Sequence, residues 1–140
     1  EQWILDNRLH LCHWFTVDDL FHLKRGGRIN SMTATLGTAL SVKPVLHVDN
    51  EGFLIPVSNV RGRKKSLVSM LERMEKTYDN PEGNSVFISH ADCIGDAEYL
   101  AELVKEKFKI KEVIINYIGP VIGSHTGQGC VALFFFGTER

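Results

Sequence analysis

The chain has 140 residues, 44% of them hydrophobic and 24% charged, with a formal net charge of −1; this is the balance of a folded globular domain and excludes a disordered segment. A domain of this length buries about two-thirds of its unfolded surface, so it needs no disulfide or metal to hold it together. The near-zero charge argues against a chain-wide footprint for nucleic acid or acidic membrane and leaves any anion site to a local cluster. No apolar stretch approaches the ~20 residues of a membrane span, so integral membrane association is not expected. Cys12, Cys93 and Cys130 are odd in number and irregularly spaced, which fits a reducing cytoplasm better than a secreted disulfide framework. Glu1 to Asp6 contain neither a basic leader nor a signal-peptide core and no initiating Met, so the chain reads as one entered in the middle.

Between Leu9 and Val17, the residues Leu9, Leu11, Phe15 and Val17 alternate with His10, Cys12, Trp14 and Thr16, which predicts a strand with His13 on the apolar side. Asp18 or Asp19 caps a short helix through Leu20, Leu23 and Lys24, stopped by Gly26-Gly27. Asn30 or Ser31 begins a second helix, Met32 to Leu40, rich in small residues. Lys43–Val48 and Phe53–Val57 flank the polar turn Asp49-Asn50-Glu51-Gly52 and predict a hairpin; Pro44 and Pro56 put it toward a sheet edge. Leu67, Met70, Leu71, Met74 and Tyr78 recur at three and four, giving an amphipathic helix that ends before Asn80-Pro81. Strand Ser85 to His90, helix Gly95 to Phe108 capped by Asp92 or Asp96, and strand Val113 to Ile118 form a βαβ unit with parallel strands. A glycine-rich loop, Gly119 to Gly129, leads into a last apolar strand, Cys130 to Phe136. The expected fold is therefore α/β, a single domain with a mixed β-sheet, packed helices and a C-terminal βαβ unit.

Four features carry candidate chemistry. The loop around His125 combines glycines with an imidazole and the hydroxyls of Ser124 and Thr126, a set suited to a carboxylate or phosphate; the alternative is a mobile turn with a solvated His125. It matches neither a dinucleotide fingerprint nor a P-loop. Arg61-Gly62-Arg63-Lys64-Lys65 places four cations at a helix entrance, where the dipole disfavours them and an anion would relieve the conflict; Arg61 is the directed member, and a solvated helix face is the alternative. Arg28 follows the Gly26-Gly27 stop in the same manner. The sets His10, Cys12, His13 and His90, Asp92, Cys93 invite a zinc site, but a strand points His13 away from His10 and Cys12, and no paired CxxC or HExxH is present, so no metal is expected. Cys130 beside His125 lacks an orienting acid, and a buried strand thiol is the simpler reading.

Taken in order, the motifs Gly26-Gly27-Arg28-Ile29, Lys43-Pro44-Val45-Leu46, Val60-Arg61-Gly62-Arg63-Lys64-Lys65, Ile88-Ser89-His90-Ala91-Asp92 and Gly119-Pro120-Val121-Ile122-Gly123-Ser124-His125-Thr126-Gly127-Gln128-Gly129 span nearly the whole chain. They resemble the C-terminal half of the DegV family of bacterial fatty-acid-binding proteins. The resemblance implies a cytoplasmic protein, not itself an enzyme and without a cofactor, that encloses a long-chain fatty acid and presents its carboxyl group to a partner fatty acid kinase. It assigns His125 to the carboxylate end of the pocket, with Ser124 and Thr126 beside it, and Arg61 and Arg28 to the neighbouring kinase-facing rim. The apolar walls would come from the Met32 to Leu40 helix and the C-terminal strands. The family usually shows Pro where Gln128 stands, and its N-terminal domain, which also holds the carboxylate, is absent here. The chain is then expected to be a domain fragment with part of the site, and the surface left bare is open to self-association.

Two other readings compete with a lipid carrier. A nucleic-acid-binding regulator would use Arg61 to Lys65 and show strongly salt-dependent affinity; the carrier predicts no nucleic-acid partner. A hydrolase built on Cys130 and His125 would turn over substrate alone and be sensitive to thiol reagents.

Overall fold

A computed structural model describes residues 1–29, 41–79 and 85–140. Six strands form one mixed sheet in the order β3-β2-β1-β6-β4-β5: β1 (Leu11–Thr16), β2 (Val42–Val48), β3 (Leu54–Arg61), β4 (Val86–His90), β5 (Val113–Tyr117) and β6 (Val131–Phe136). Five helices accompany it among the described residues: α1 (Gln2–Asn7), α2 (Leu20–Arg25), α3 (Arg63–Thr77), α4 (Ile94–Phe108) and α5 (Pro120–Thr126). The expected Met32 to Leu40 helix and the Asn80-Pro81 stop lie outside the described residues.

The mixed α/β fold is the one the sequence predicts. β4 and β5 are parallel, as a βαβ unit requires, while β6 runs antiparallel to both β1 and β4. The hairpin forms around Asp49, whose Oδ1 accepts the amides of Glu51 and Phe53 at 3.1 and 2.8 Å. Its outer strand β3 is the sheet edge, as Pro56 suggests, but β2 is internal. Pro44 is tolerated there because the β1–β2 ladder stops at Thr16↔Val45, one residue short of it, so no ladder donor is lost. Neither Asp92 nor Asp96 caps α4. Cys93 occupies the N-cap without a side-chain bond, since Gln128 Nε2 donates to Asp92 Oδ2 at 2.8 Å and Arg63 holds Asp96. The glycine-rich segment is no loop in its middle: Pro120 at the first helical position and the bonds Gly123 N–Gly119 O and Gly127 N–Gly123 O, 2.9 and 2.8 Å, build α5. Proline's fixed φ suits that position, and its missing N–H would have had no partner there.

Strand alternation sends side chains to two differently covered faces. Cys12, Trp14, Val45, Ile88, Leu133 and Phe135 pack under α3 and α4, which contribute Leu67, Met70, Met74, Leu100 and Val104 to one continuous core. On the opposite face, Phe15, Val17, Leu46 and Cys130 form a smaller cluster with Leu20 and Leu23 of α2. The continuous apolar run of β6 reflects burial from both sides. α1, an element with no counterpart among the expected ones, buries no residue, and its Trp3 sits edge-on to Phe136 at 5.7 Å.

Candidate functional site

α2 and α5 meet over one end of the sheet's less covered face, and their junction is built from histidines and glycines. Asp19 caps α2 by accepting the Phe21 amide at 2.8 Å, and Leu20 and Leu23 anchor it to the sheet. His22 Nε2 donates to the Ser124 carbonyl at 2.8 Å. That bond fixes the tautomer, so Nδ1 is left to accept from Arg25 Nη2 at 3.2 Å. The two rings pack reciprocally on backbone: a Cβ on Gly127, whose φ is +74°, would lie 3.1 Å from the His22 ring, and one on Gly26 would lie 2.9 Å from His125 Nδ1. Glycine at both places lets α2 and α5 approach closely enough to set the His125 ring beside the α2 terminus.

Below this junction runs a groove of about 500 Å³. Phe15, Leu23, Leu54, Ile122, Ala132 and Phe134 supply apolar lining, and Arg28, His125 and Thr126 line it as well. Arg28 is held by its own turn, its amide donating to Leu23 O at 2.9 Å and its Nη1 to Gly26 O at 2.5 Å. Its remaining guanidinium donors are available to a ligand. No side chain among the described residues hydrogen-bonds the His125 ring. Thr126 is buried and its hydroxyl donates to Ile122 O at 3.2 Å, so it offers a ligand lone pairs before it offers a proton. An apolar trough ending in a cation and an imidazole suits an amphiphile with an anionic head.

The model for uncharacterised proteins of the DegV family matches residues 1–138. The chain belongs to the DegV family. A DegV domain-containing protein of Clostridium perfringens is 51% identical over 138 residues, 99% of this chain and 47% of that protein. The chain thus spans about half the length of the curated relatives it matches. Among solved structures, the fatty acid binding DegV family protein of Streptococcus agalactiae is 29% identical, with a TM-score of 0.79 over 99% of this chain and 48% of that one. The Streptococcus pneumoniae fatty acid kinase B3 protein, loaded with linoleic acid, shares the fold at 18% identity, with a TM-score of 0.86 over 96% of this chain and 47% of that one.

Within this DegV-family chain the predicted site residues divide. His125, Arg28 and Thr126 come together at the groove. Ser124 does not line it; the side chain is exposed and its hydroxyl donates to Val121 O at 2.8 Å, so its contribution is the carbonyl that takes His22. Arg61 also lies off the groove, exposed at the end of β3 opposite Val42. The basic run is not uniform. Lys64 and Lys65 are exposed, whereas Arg63 turns inward, donating to Asp96 Oδ2 at 2.8 Å and to Gly129 O at 2.6 Å, with Asp18 at 3.7 Å. Asp18 also holds Lys43 at 2.8 Å. Arg63 thereby ties the start of α3 to α4 and to the segment before β6, a role invisible in a run of four cations.

The other candidate clusters are engaged elsewhere. His10 Nδ1 meets Gly137 O at 3.2 Å, Cys12 Sγ donates to Glu139 O at 3.1 Å, and His13 lies on the opposite face against Phe134. His90 is buried against Tyr117, and its Nδ1 accepts the Cys93 amide at 3.3 Å. Burial pushes the Cys130 thiol up to about 12; a thiol held protonated is a poor nucleophile. Sequence reasoning missed His22 as the latch on α5 and His13 as a groove residue. The sign for His13 was present in its place on the apolar side of β1.

Proposed function

We propose that this chain is the C-terminal, lipid-binding half of a cytoplasmic carrier: the groove takes the acyl chain of a long-chain fatty acid, and a separate fatty acid kinase phosphorylates its carboxylate. The observation that carries this reading is the polarity of the groove, with aromatic and aliphatic walls along its length and Arg28 and His125 together at the α2–α5 junction. A carboxylate leaving water for such a trough needs charge-assisted donors to offset its desolvation. Arg28 would supply the charge and His125 a directed hydrogen bond, with its ring set by the close packing on Gly26. Thr126 and Ser124 act as framework, each spending its hydroxyl proton within α5. Arg61, with exposed Lys64 and Lys65, would face the kinase and its nucleotide, whose γ-phosphoryl group passes to a carboxylate oxygen. The names of the S. agalactiae and S. pneumoniae proteins, one fatty acid binding and one a fatty acid kinase B3 protein loaded with linoleic acid, support this assignment.

The deciding experiment is mass spectrometry of an organic extract of the purified 140-residue chain beside a longer chain that includes a preceding domain. Stoichiometric fatty acid in either supports a lipid site, and its presence only in the longer form means that the pocket is shared. Absence from both, even after loading, refutes the reading. In the longer chain, His125→Ala is expected to lower acyl phosphate formation by the kinase at least about tenfold, the worth of one charge-assisted hydrogen bond.

A further inference from the structure

Every strand of the sheet contributes to the groove: Leu54 from β3, Val48 from β2, Phe15 from β1, Ala132 from β6, Ser89 from β4 and Tyr117 from β5. The groove therefore runs across the strands, and the ladder registers give its slope. Leu54 pairs with Val48, which stands beside His13, one step past the Trp14↔His47 pair, and His13 pairs with Phe134. Ala132 and Ser89 share a row two residues nearer α5. The two ends differ in cover. At the α5 end Tyr117 and Val121 are each 72% exposed, whereas Val48 and Leu54 are half-buried against the cluster that holds Phe15 and Leu23. A head group that a second protein must reach belongs at the open end, beside His125 of α5, and an alkyl chain at the covered one. Past Leu54 the apolar floor stops, because β3 is the edge strand and the turn Asp49-Asn50-Glu51-Gly52 is polar. Arg140 braces that turn against β1, its Nη1 donating to Asp49 O and its Nε to Leu11 O, both at 3.1 Å, so the floor ends at a fixed place.

We propose that the groove measures acyl-chain length, and that Leu54, with Val48 before it, sets the limit. The inference rests on the fatty-acid reading above and adds the length of its ligand. Cys130, where the segment after α5 enters β6, lines the groove near the head-group end. From there to Leu54 is three strand spacings across and four residues along, roughly 20 Å on the diagonal. An extended chain with bonds of ~1.5 Å at ~111° advances about 1.25 Å per carbon, so this span covers about 16 carbons. A methylene that lies on the floor leaves water and is worth about fourfold in affinity. One beyond Leu54 meets water and the polar turn, and adds nothing.

The test uses the natural polypeptide that carries this sequence, with displacement of a fluorescent fatty acid by saturated acids of 10 to 20 carbons. Affinity is expected to rise about fourfold per methylene and then level off near 16 carbons. Leu54→Thr and Val48→Thr keep a strand-forming residue while removing apolar floor, and thermal melts check that each is folded. Each should weaken hexadecanoic acid ~4- to 15-fold, the worth of one or two methylenes, and move the plateau to shorter chains, with decanoic acid changed less than ~2-fold. On the unaltered protein, hexadecanoic acid labelled with carbon-13 at its terminal methyl should show cross-relaxation to the Leu54 methyl groups. Affinity that climbs without a break to 20 carbons, a plateau that both variants leave in place, an equal loss for every chain length, or a terminal methyl that contacts neither Leu54 nor Val48 overturns the proposal and leaves fatty-acid binding intact. Failure of every acid to displace the probe overturns this proposal and the fatty-acid reading together.

Discussion

The two faces of the sheet are built from the same strands yet are covered to different depths. One lies under α3 and α4, 15 residues each, whose apolar stripes seal it. Among the described residues the other carries α2 and α5, of six and seven residues, which cover one end and leave a groove along the rest. Short helices bury little area, so they cannot close a sheet face; what they can do is place side chains at its margin. Packing is concentrated on the first face, and the proposed ligand site lies on the second.

Adjacent residues of β6 test that division most strongly. Leu133 is fully buried under α3 and α4, and Phe134 faces the groove. Leu133→Ala is expected to cost about 2–5 kcal/mol, the range for a large residue removed from a sealed core. Phe134→Ala should cost less than half as much and should weaken ligand binding. Urea unfolding midpoints with and without fatty acid separate the two effects, and equal losses of stability would break the comparison.

The next effect sits where the faces are joined. Gly129 has φ +83°, and a Cβ there would run into the Asp18 carboxylate. Gly129→Ala must move the carboxylate that pairs with Lys43 and Arg63 as well as strain the backbone. A loss of at least ~1 kcal/mol is expected by thermal or urea unfolding. Arg28→Ala inverts this pattern. The residue is exposed, so stability should stay within about 0.5 kcal/mol of the original, while fatty acid affinity falls ~10-fold or more through loss of the charged donor. Titration calorimetry read beside the melt would show whether the groove margin is as independent of the core as the geometry implies.

Much of this architecture was legible because its signals are local. The period of α3, the caps and stops of α2, the hairpin turn and the βαβ order each depend on residues within a few positions of one another. The resemblance grouped Arg28 with Arg61 on a rim beside His125, whereas the structure brings Arg28 to the groove with His125 and leaves Arg61 off it. What escaped depends on contacts distant in sequence. Arg63 looks like its lysine neighbours until Asp96 and Gly129 are seen beside it, more than thirty residues away. Four glycines suggested a loop at α5, but they set its boundaries and its close packing on His22, with Pro120 to start it. Alternation in β1 put His13 on one face correctly and could not reveal that this face holds a cavity.

Two histidines give the smallest and most discriminating effect. His47 lies on the helix-covered face, stacked on Trp14 at 5.0 Å, and His13 lies in the groove. Burial is the main cause that lowers both below the ordinary 6.5; the Arg140 charge adds to it at both, and Asp49 opposes it at His47. Above pH 6.5 folded and unfolded chains both hold these rings neutral, and the full stability is present. As pH falls below 6.5, the unfolded chain takes up protons that the folded chain resists, so stability declines until the folded values are passed. The urea midpoint should therefore drop between about pH 7.5 and pH 5.5, and His13→Phe and His47→Phe should each flatten part of the drop. Fatty acid separates the two. A ligand in the groove buries His13 further and steepens its share of the decline, but leaves that of His47, across the sheet, as it was. A ligand that steepened the slope equally in His13→Phe would lie somewhere other than over His13.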